Sequence, residues 1–206
     1  MLPFEKRFFH RPKLDRILYL GQMGLNIPIF IKIIETQKEL KKFEKEKGNL
    51  VFSFRTQKVY LEDEKVSHYL SPFFPNTTAS KELSKLKKAI KEGFQILVFE
   101  AIDPSWTVAR GNILVDKVKK DIEIEYKLGQ GTVRDLEREI PLRINSKYEN
   151  LTSEFLHKFN SIFLNFYSID QLIKFQFSRY ILEFSVIDRA VGIKKLPVIF
   201  WEIREG

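Results

Sequence analysis

Apolar and polar positions along this chain switch between a helical period and a strand-like alternation, and the switches predict its elements. Leu14, Ile17, Leu18 and Met23 fall near helical spacing behind Pro12, a residue suited to a first helical turn, and this helix is expected to run to about Gly24. Asn26–Ile34 then reads as a strand with Pro28 at its entrance. Thr36 followed by Glu39 is a capping-box signature, predicting a helix through about Glu46 with Leu40 and Phe43 inward. Beyond the Gly48-Asn49 turn, Asn49–Arg55 is expected as a strand and the polar stretch Ser71–Thr78 as a loop. Leu83, Leu86 and Ile90 mark a helix over Ser80–Glu92.

The second half alternates more tightly. Phe94–Ile102 is a strongly apolar strand ending at Asp103-Pro104, and Thr107–Val115 and Asp121–Tyr126 are strands around the charged turn Asp116–Lys120. Gly129-Gln130-Gly131 is a tight turn before an expected short helix, Thr132–Glu139. A longer helix, Leu151–Phe166, and a short one capped by Ser168 and Gln171 follow. Two apolar runs close the chain, Tyr180–Ile187 and Val198–Arg204, each interrupted by one carboxylate. Strands and helices in this order predict an α+β protein of two lobes, roughly 1–95 and 96–206, with mixed, largely antiparallel sheets.

Those last two runs carry the first candidate chemistry. Alternation puts Val198, Phe200, Glu202 and Arg204 on one face of the final strand, and Ile199, Trp201 and Ile203 on the other. If the two runs pair, Glu183 approaches Glu202 on a shared face. Adjacent carboxylates repel, so such a face needs a cation, a proton or an arginine. Two acidic groups with one guanidinium suit a divalent ion bridging to a phosphate; a solvated sheet face with an ordinary Glu–Arg pair is the competing reading.

Composition narrows the classes. A chain of 206 residues, 44% hydrophobic and 30% charged, is long enough and apolar enough for a substantial core. The absence of cysteine excludes disulfides, cysteine-based zinc sites and thiol nucleophiles. His10, His68 and His157 show no metal-ligand spacing. Thirty-five basic against 27 acidic residues give a net charge of +8, which favours nucleotides, nucleic acid or another anionic partner. The lysine-rich stretches Lys38–Lys47 and Lys81–Lys91 read as solvated helix faces. Neither a signal-peptide pattern nor an apolar run near the ~18 residues of a membrane span is present, so a soluble cytoplasmic protein is expected.

Four further features join the acidic pair. Lys13 opens the first helix, where a long cationic stem reaches towards a phosphate or simply towards solvent. Arg55 ends an apolar strand, sharing a face with Val51 and Ser53, and there an arginine is costly unless paired or holding an anion. The Gly129-Gln130-Gly131 turn offers backbone N–H groups to an anion. Phe99-Glu100-Ala101-Ile102 joins the lobes, either as core or as an edge presenting backbone groups to an adenine ring.

In order, these features resemble the ATP-grasp nucleotide-binding domain of the phosphoenolpyruvate synthase and pyruvate phosphate dikinase family. Lys13, Leu20 and Gly24-Leu25-Asn26-Ile27-Pro28 follow the spacing of the family's lysine segment and "Gly-Leu-Pro-Val-Pro" strand entrance. Ser53-Phe54-Arg55-Thr56 is similar to its Arg-Ser-Ser-Ala segment, Leu97–Ile102 to its adenine-contacting hinge, and Ala109–Leu114 to its Ser-Gly-Val-Leu-Phe-Thr strand. Tyr126–Gln130 echoes its Trp-Gly-Leu-Gly-Glu turn, and Glu183 with Trp201-Glu202-Ile203-Arg204 resembles its final Glu and Leu-Gln-x-Arg-Pro strands. The glycines around the family lysine are replaced by Arg11-Pro12 and Leu14, and only Glu62-Asp63 stands near its Glu-Asp pair.

The resemblance implies ATP and Mg²⁺ as ligands of a shortened ATP-grasp-like unit spanning 1–206. It implies Glu183 and Glu202 as metal ligands and Lys13, Arg55, Glu100, Ile102 and Arg204 as nucleotide contacts. The implied activity is phosphotransferase or ligase chemistry on an acceptor the sequence does not reveal. No histidine stands in the family's phosphohistidine context, so the complete dikinase reaction is not expected of this chain. A degenerate, non-catalytic binding or regulatory module that engages a protein partner is the alternative reading. Nucleic-acid binding through the lysine-rich helices is a further one.

Overall fold

A computed structural model describes residues 4–58, 73–130, 140–191 and 196–206. The expected helix 132–139, Gly131 and Glu62-Asp63 lie outside the described residues. The chain divides into two compact units. One comprises Met1–Phe9, Arg16–Ile27 and Pro104–Gly206, and the other His10–Asp15 and Pro28–Asp103. After Asp103 the chain passes from the second unit into the first.

The unit built from Pro28–Asp103 contains a four-stranded antiparallel sheet, order β1-β4-β2-β3. Its strands are β1 (Phe30–Ile34), β2 (Val51–Lys58), β3 (Phe73–Thr78) and β4 (Phe94–Glu100). Helices α3 (Gln37–Lys47) and α4 (Ala79–Lys91) pack on one face, burying Leu40, Phe43 and Leu86 against Phe52, Phe54, Ile96 and Val98. The capping box forms as expected: Thr36 Oγ1 accepts from Glu39 N–H at 3.1 Å, and Glu39 Oε2 accepts from Thr36 N–H at 3.0 Å. Phe73–Thr78, expected as loop, is an edge strand. Its Pro75 and Asn76 are accommodated where the register to β2 shifts between Phe52 and Phe54, with Asn76 at φ 44°. Ion pairs such as Lys42–Glu46 and Lys85–Glu82 run along α3 and α4.

The larger unit holds a five-stranded antiparallel sheet, order β7-β6-β5-β8-β9. Its strands are β5 (Thr107–Asp116), β6 (Asp121–Leu128), β7 (Leu142–Lys147), β8 (Arg179–Val191) and β9 (Leu196–Glu205). Two elements escaped the periodicity analysis: β7, and the N-terminal helix α1 (Phe4–Phe9). The expected first helix is α2 (Lys13–Gln22). Helices α5 (Ser153–Phe163) and α6 (Ile169–Ile173) carry the apolar face. Phe155, Phe159 and Phe163 recur every fourth residue on α5, and the Phe163 ring meets Phe184 of β8 at 4.8 Å. Helix α5 stops before the expected Phe166 because Leu164 and Asn165 adopt left-handed backbone, φ 51° and 59°.

One face of this sheet buries Ile113, Ile124, Ile144, Leu182, Phe184, Val198, Phe200 and Ile203 in a single core. The opposite face carries the sheet's polar rows, with Leu114, Ile181 and Ile199 among them. Cross-strand register aligns Arg143 of β7, Glu125 of β6, Asn112 of β5, Glu183 of β8 and Glu202 of β9 in one row. No helix among the described residues is long and apolar enough to cross a membrane.

Candidate functional site

The row's right-hand end is where the two C-terminal carboxylates meet. Glu183 and Glu202 are direct register partners, as expected, but not by simple alternation. Glu183 pairs with Glu202 while the next residue, Phe184, pairs with Phe200, so Trp201 is the extra residue of a β-bulge. The bulge switches the faces of β9. Val198 and Phe200 enter the apolar core, as does Ile203, while Glu202 and Arg204 turn to the polar face. The expected grouping of Val198 and Phe200 with Glu202 and Arg204 is therefore corrected. Trp201 donates its indole N–H to Ser185 Oγ at 2.8 Å, fixing the bulge.

Two arginines hold the pair. Arg204 Nε lies 3.6 Å from Glu183 Oε1, with its side chain 45% exposed. Arg16 of α2 approaches Glu202 Oε1 to 2.9 Å through Nη2, with the two side chains only 16% and 11% exposed. The other nitrogen, Arg16 Nη1, donates to the Ile203 carbonyl at 3.0 Å. Arg16 thus grips both the carboxylate and the backbone of the edge strand β9. Asn26 performs a similar role further along: its Nδ2 donates to Val198 O at 2.9 Å and its carbonyl accepts from Phe200 N–H at 2.8 Å. Sequence reasoning missed Arg16. The available signal was its position one helical turn after Lys13 and one before Leu20 on α2.

Asn112 completes the constellation. It is the register partner of Glu183 on β5, and its Oδ1 is buried with no hydrogen-bond donor. Leaving a buried acceptor unsatisfied is costly, and such atoms call for a ligand or a functional reason. Among the described residues no group of three or more His, Cys, Asp and Glu side chains is placed to hold a metal. Two carboxylates with an amide oxygen are nonetheless an all-oxygen donor set, the kind a hard divalent cation takes. The residues present fit Mg²⁺.

The remaining expected contacts lie in the other unit. Lys13 is the half-buried first residue of α2, and the next residue, Leu14, donates its N–H to Gln57 Oε1 at 3.0 Å. Gln57 stands two residues from Arg55 on the same face of β2. Arg55 is half-buried, opposite Leu97 of β4. Glu100 ends β4 and is exposed, with its N–H donated to the Ile29 carbonyl at 2.9 Å; Ile102 is buried just beyond it. Glu183, Glu202 and Arg204 are thus brought together, whereas Lys13, Arg55, Glu100 and Ile102 belong to the second unit. Gly129, the first residue of the expected Gly129-Gln130-Gly131 turn, is hydrogen-bonded to its neighbours. Its N–H donates to Val108 O at 2.9 Å and its carbonyl accepts from Arg110 Nη1 at 2.8 Å, with φ at 93°.

Two antiparallel sheets with these helices define an ATP-grasp-like α+β fold. The chain is similar to N5-carboxyaminoimidazole synthetase from Staphylococcus aureus, an ATP-grasp enzyme solved with ADP. That match has a TM-score of 0.51 and 11% identity over 97% of this chain and 46% of that one. Macrocyclase MdnC from Microcystis aeruginosa, solved with precursor peptide MdnA, matches at TM-score 0.49 and 14% identity, over 98% of this chain and 55% of that one. A dinucleotide-forming acetyl-coenzyme A synthetase from Ca. Korarchaeum cryptofilum matches at TM-score 0.48 and 16% identity, over 97% and 94%. The chain spans about half the length of the first two proteins. No family model matches the sequence, and neither does any curated protein.

Proposed function

We propose that this chain is an ATP-grasp-type protein that binds ATP with Mg²⁺, the metal held by Glu183 and Glu202 with Asn112 as a third oxygen. The observation that carries this reading is the direct register of the two carboxylates beside the undonated Asn112 Oδ1, on the polar face of an ATP-grasp-like sheet. Bound Mg²⁺ supplies charge neutralisation and fixed geometry for phosphate oxygens. Arg204 is the pair's exposed guanidinium, suited to bidentate recognition of phosphate. The family resemblance assigns Lys13 and Arg55 to phosphate and Glu100 and Ile102 to the base, all four in the second unit. This assignment retains the motif order of the phosphoenolpyruvate synthase and pyruvate phosphate dikinase domain. The chemistry that follows is phosphoryl transfer to a carboxylate or another nucleophile, by positioning and charge stabilisation.

Calorimetric titration with ATP and Mg²⁺ tests the proposal. Saturable heat is expected; its absence at concentrations well above micromolar rejects ATP binding. A Glu183→Gln/Glu202→Gln variant that binds as well as the native protein removes the metal role. One observation favours a second reading, a non-catalytic module on the same fold: both carboxylates already carry a guanidinium, Arg16 on Glu202 and Arg204 on Glu183. Under that reading the ATP titration stays silent, and only a protein partner produces a signal.

A further inference from the structure

The two carboxylates contribute two negative charges to the polar face, and Arg16 and Arg204 return two positive ones. We infer that Arg16 is a built-in counter-ion and positioning residue of the acidic pair, tuning it to accept a divalent cation together with nucleotide phosphate and to refuse the bare ion. The inference rests on the metal–nucleotide reading above and adds the residue that sets its selectivity.

Three observations support it. Arg16 is anchored twice, by Nη2 to Glu202 Oε1 and by Nη1 to the Ile203 carbonyl, so its charge is fixed to β9. Its side chain is mostly buried, where water screens the guanidinium poorly. Its Nε–H is buried without an acceptor, so the group is not fully satisfied as it stands. Arg204 is held less closely: it is nearly half exposed and lies 3.6 Å from its carboxylate. A bare dication entering beside Glu202 therefore meets a fixed positive charge with nowhere to go. A dication arriving with polyphosphate brings its own negative charge, and the more exposed Arg204 turns to that phosphate while Arg16 keeps Glu202 in place.

The test measures free Mn²⁺ by electron paramagnetic resonance during titration of the protein with Mn²⁺ alone and, because ATP itself binds Mn²⁺, measures protein-bound Mn²⁺ and ATP by equilibrium dialysis when both are present. Native protein is expected to bind Mn²⁺ with ATP far more tightly than Mn²⁺ alone. Arg16→Gln removes the charge; its amide ends near where Arg16 Nε stands, so the Nη1 contact to the Ile203 carbonyl is given up as well. It should bind bare Mn²⁺ about tenfold or more tightly than the native protein, the order expected when one unit charge a few ångströms from a dication is deleted in a partly screened site. Arg16→Lys keeps the charge and should leave bare-ion binding weak. The gain in Arg16→Gln should vanish when Glu183→Gln and Glu202→Gln are added. Circular dichroism melts establish that each variant is folded; should Arg16→Gln not fold, the exposed Arg204→Gln must show the same sign with a smaller factor.

Bare Mn²⁺ bound no more tightly by a folded Arg16→Gln, while native protein binds Mn²⁺ with ATP, overturns this inference and leaves the nucleotide reading intact. Native protein that ignores Mn²⁺ with ATP overturns the nucleotide reading. A bare-ion gain in Arg16→Gln would then still support the counter-ion role.

Discussion

A double-mutant cycle on Arg16 and Glu202, run beside one on Arg204 and Glu183, separates a fixed ion pair from an adjustable one. Arg16 and Glu202 meet at 2.9 Å with side chains 16% and 11% exposed. Hydrogen bonds to charged groups with this degree of burial contribute about 1.5–3 kcal/mol, and orphaning one partner costs more. Arg204 and Glu183 are separated by 3.6 Å with the arginine 45% exposed, the geometry of surface pairs that contribute about 0–1 kcal/mol. Replacing either glutamate by glutamine also relieves the Glu183–Glu202 repulsion, so single-variant stabilities understate both pairs; the cycle cancels that common part. Urea unfolding of the native protein, Arg16→Gln, Glu202→Gln and the double variant should give a coupling of about 2 kcal/mol. The Arg204/Glu183 cycle should give roughly 0.5 kcal/mol. Equal couplings, or an Arg16–Glu202 coupling under about 0.5 kcal/mol, would refute the distinction between the two arginines.

Two further outcomes follow from the sheet and its core. A Cβ added at Gly111 would lie 2.1 Å from the Glu125 carbonyl oxygen and 2.9 Å from the Phe184 ring, so Gly111→Ala must push β6 away from β5. A loss of about 3 kcal/mol or more in urea unfolding is expected, and a change under about 0.5 kcal/mol would show that the strands yield freely. Burial holds the phenols of Tyr180 and Tyr167 above the ordinary tyrosine range, with Tyr180 donating to the Leu172 carbonyl at 2.7 Å and Tyr167 accepting from Asn26 N–H at 2.9 Å. Because the folded values are the raised ones, their contribution is complete below about pH 10. It is lost above that, at roughly 1.4 kcal/mol per pH unit for each tyrosine. Absorbance at 295 nm should show these two ionising above the ordinary tyrosine range in folded protein; all seven tyrosines titrating near pH 10 in folded protein would contradict this.

Most of the fold was legible because its elements obey local rules. The Thr36–Glu39 and Ser168–Gln171 boxes fixed two helix starts, and the phenylalanines of α5 marked its buried stripe. Strand β7 escaped because Leu142–Lys147 offers a single buried apolar residue, Ile144, at the edge of the sheet. Strand β3 escaped because its proline and asparagine are turn formers that an edge bulge tolerates. The pairing of Glu183 with Glu202 was legible from two apolar runs of matched length, but the face assignment around it was not. Strict alternation cannot anticipate the extra residue at Trp201, whose position depends on Ser185 across the strand pair.

That bulge and Arg16 belong together. Without the extra residue, a strand that buries Phe200 would also bury Glu202 in the apolar core, where an unpaired carboxylate is prohibitive. With it, Glu202 reaches the polar face beside a second carboxylate, and the face then needs positive charge. Local sequence near β9 supplies Arg204, which goes to Glu183. The second cation comes from Arg16, 186 positions earlier by subtraction, on a helix whose pattern concerns its own core side. Charge balance at a sheet edge is thus a three-dimensional condition, and a search of any strongly acidic strand pair of this kind should look for its cation on a helix whose side chains reach the edge. Bare-ion affinity in Arg16→Gln measures whether that cation only balances charge or also selects the ligand.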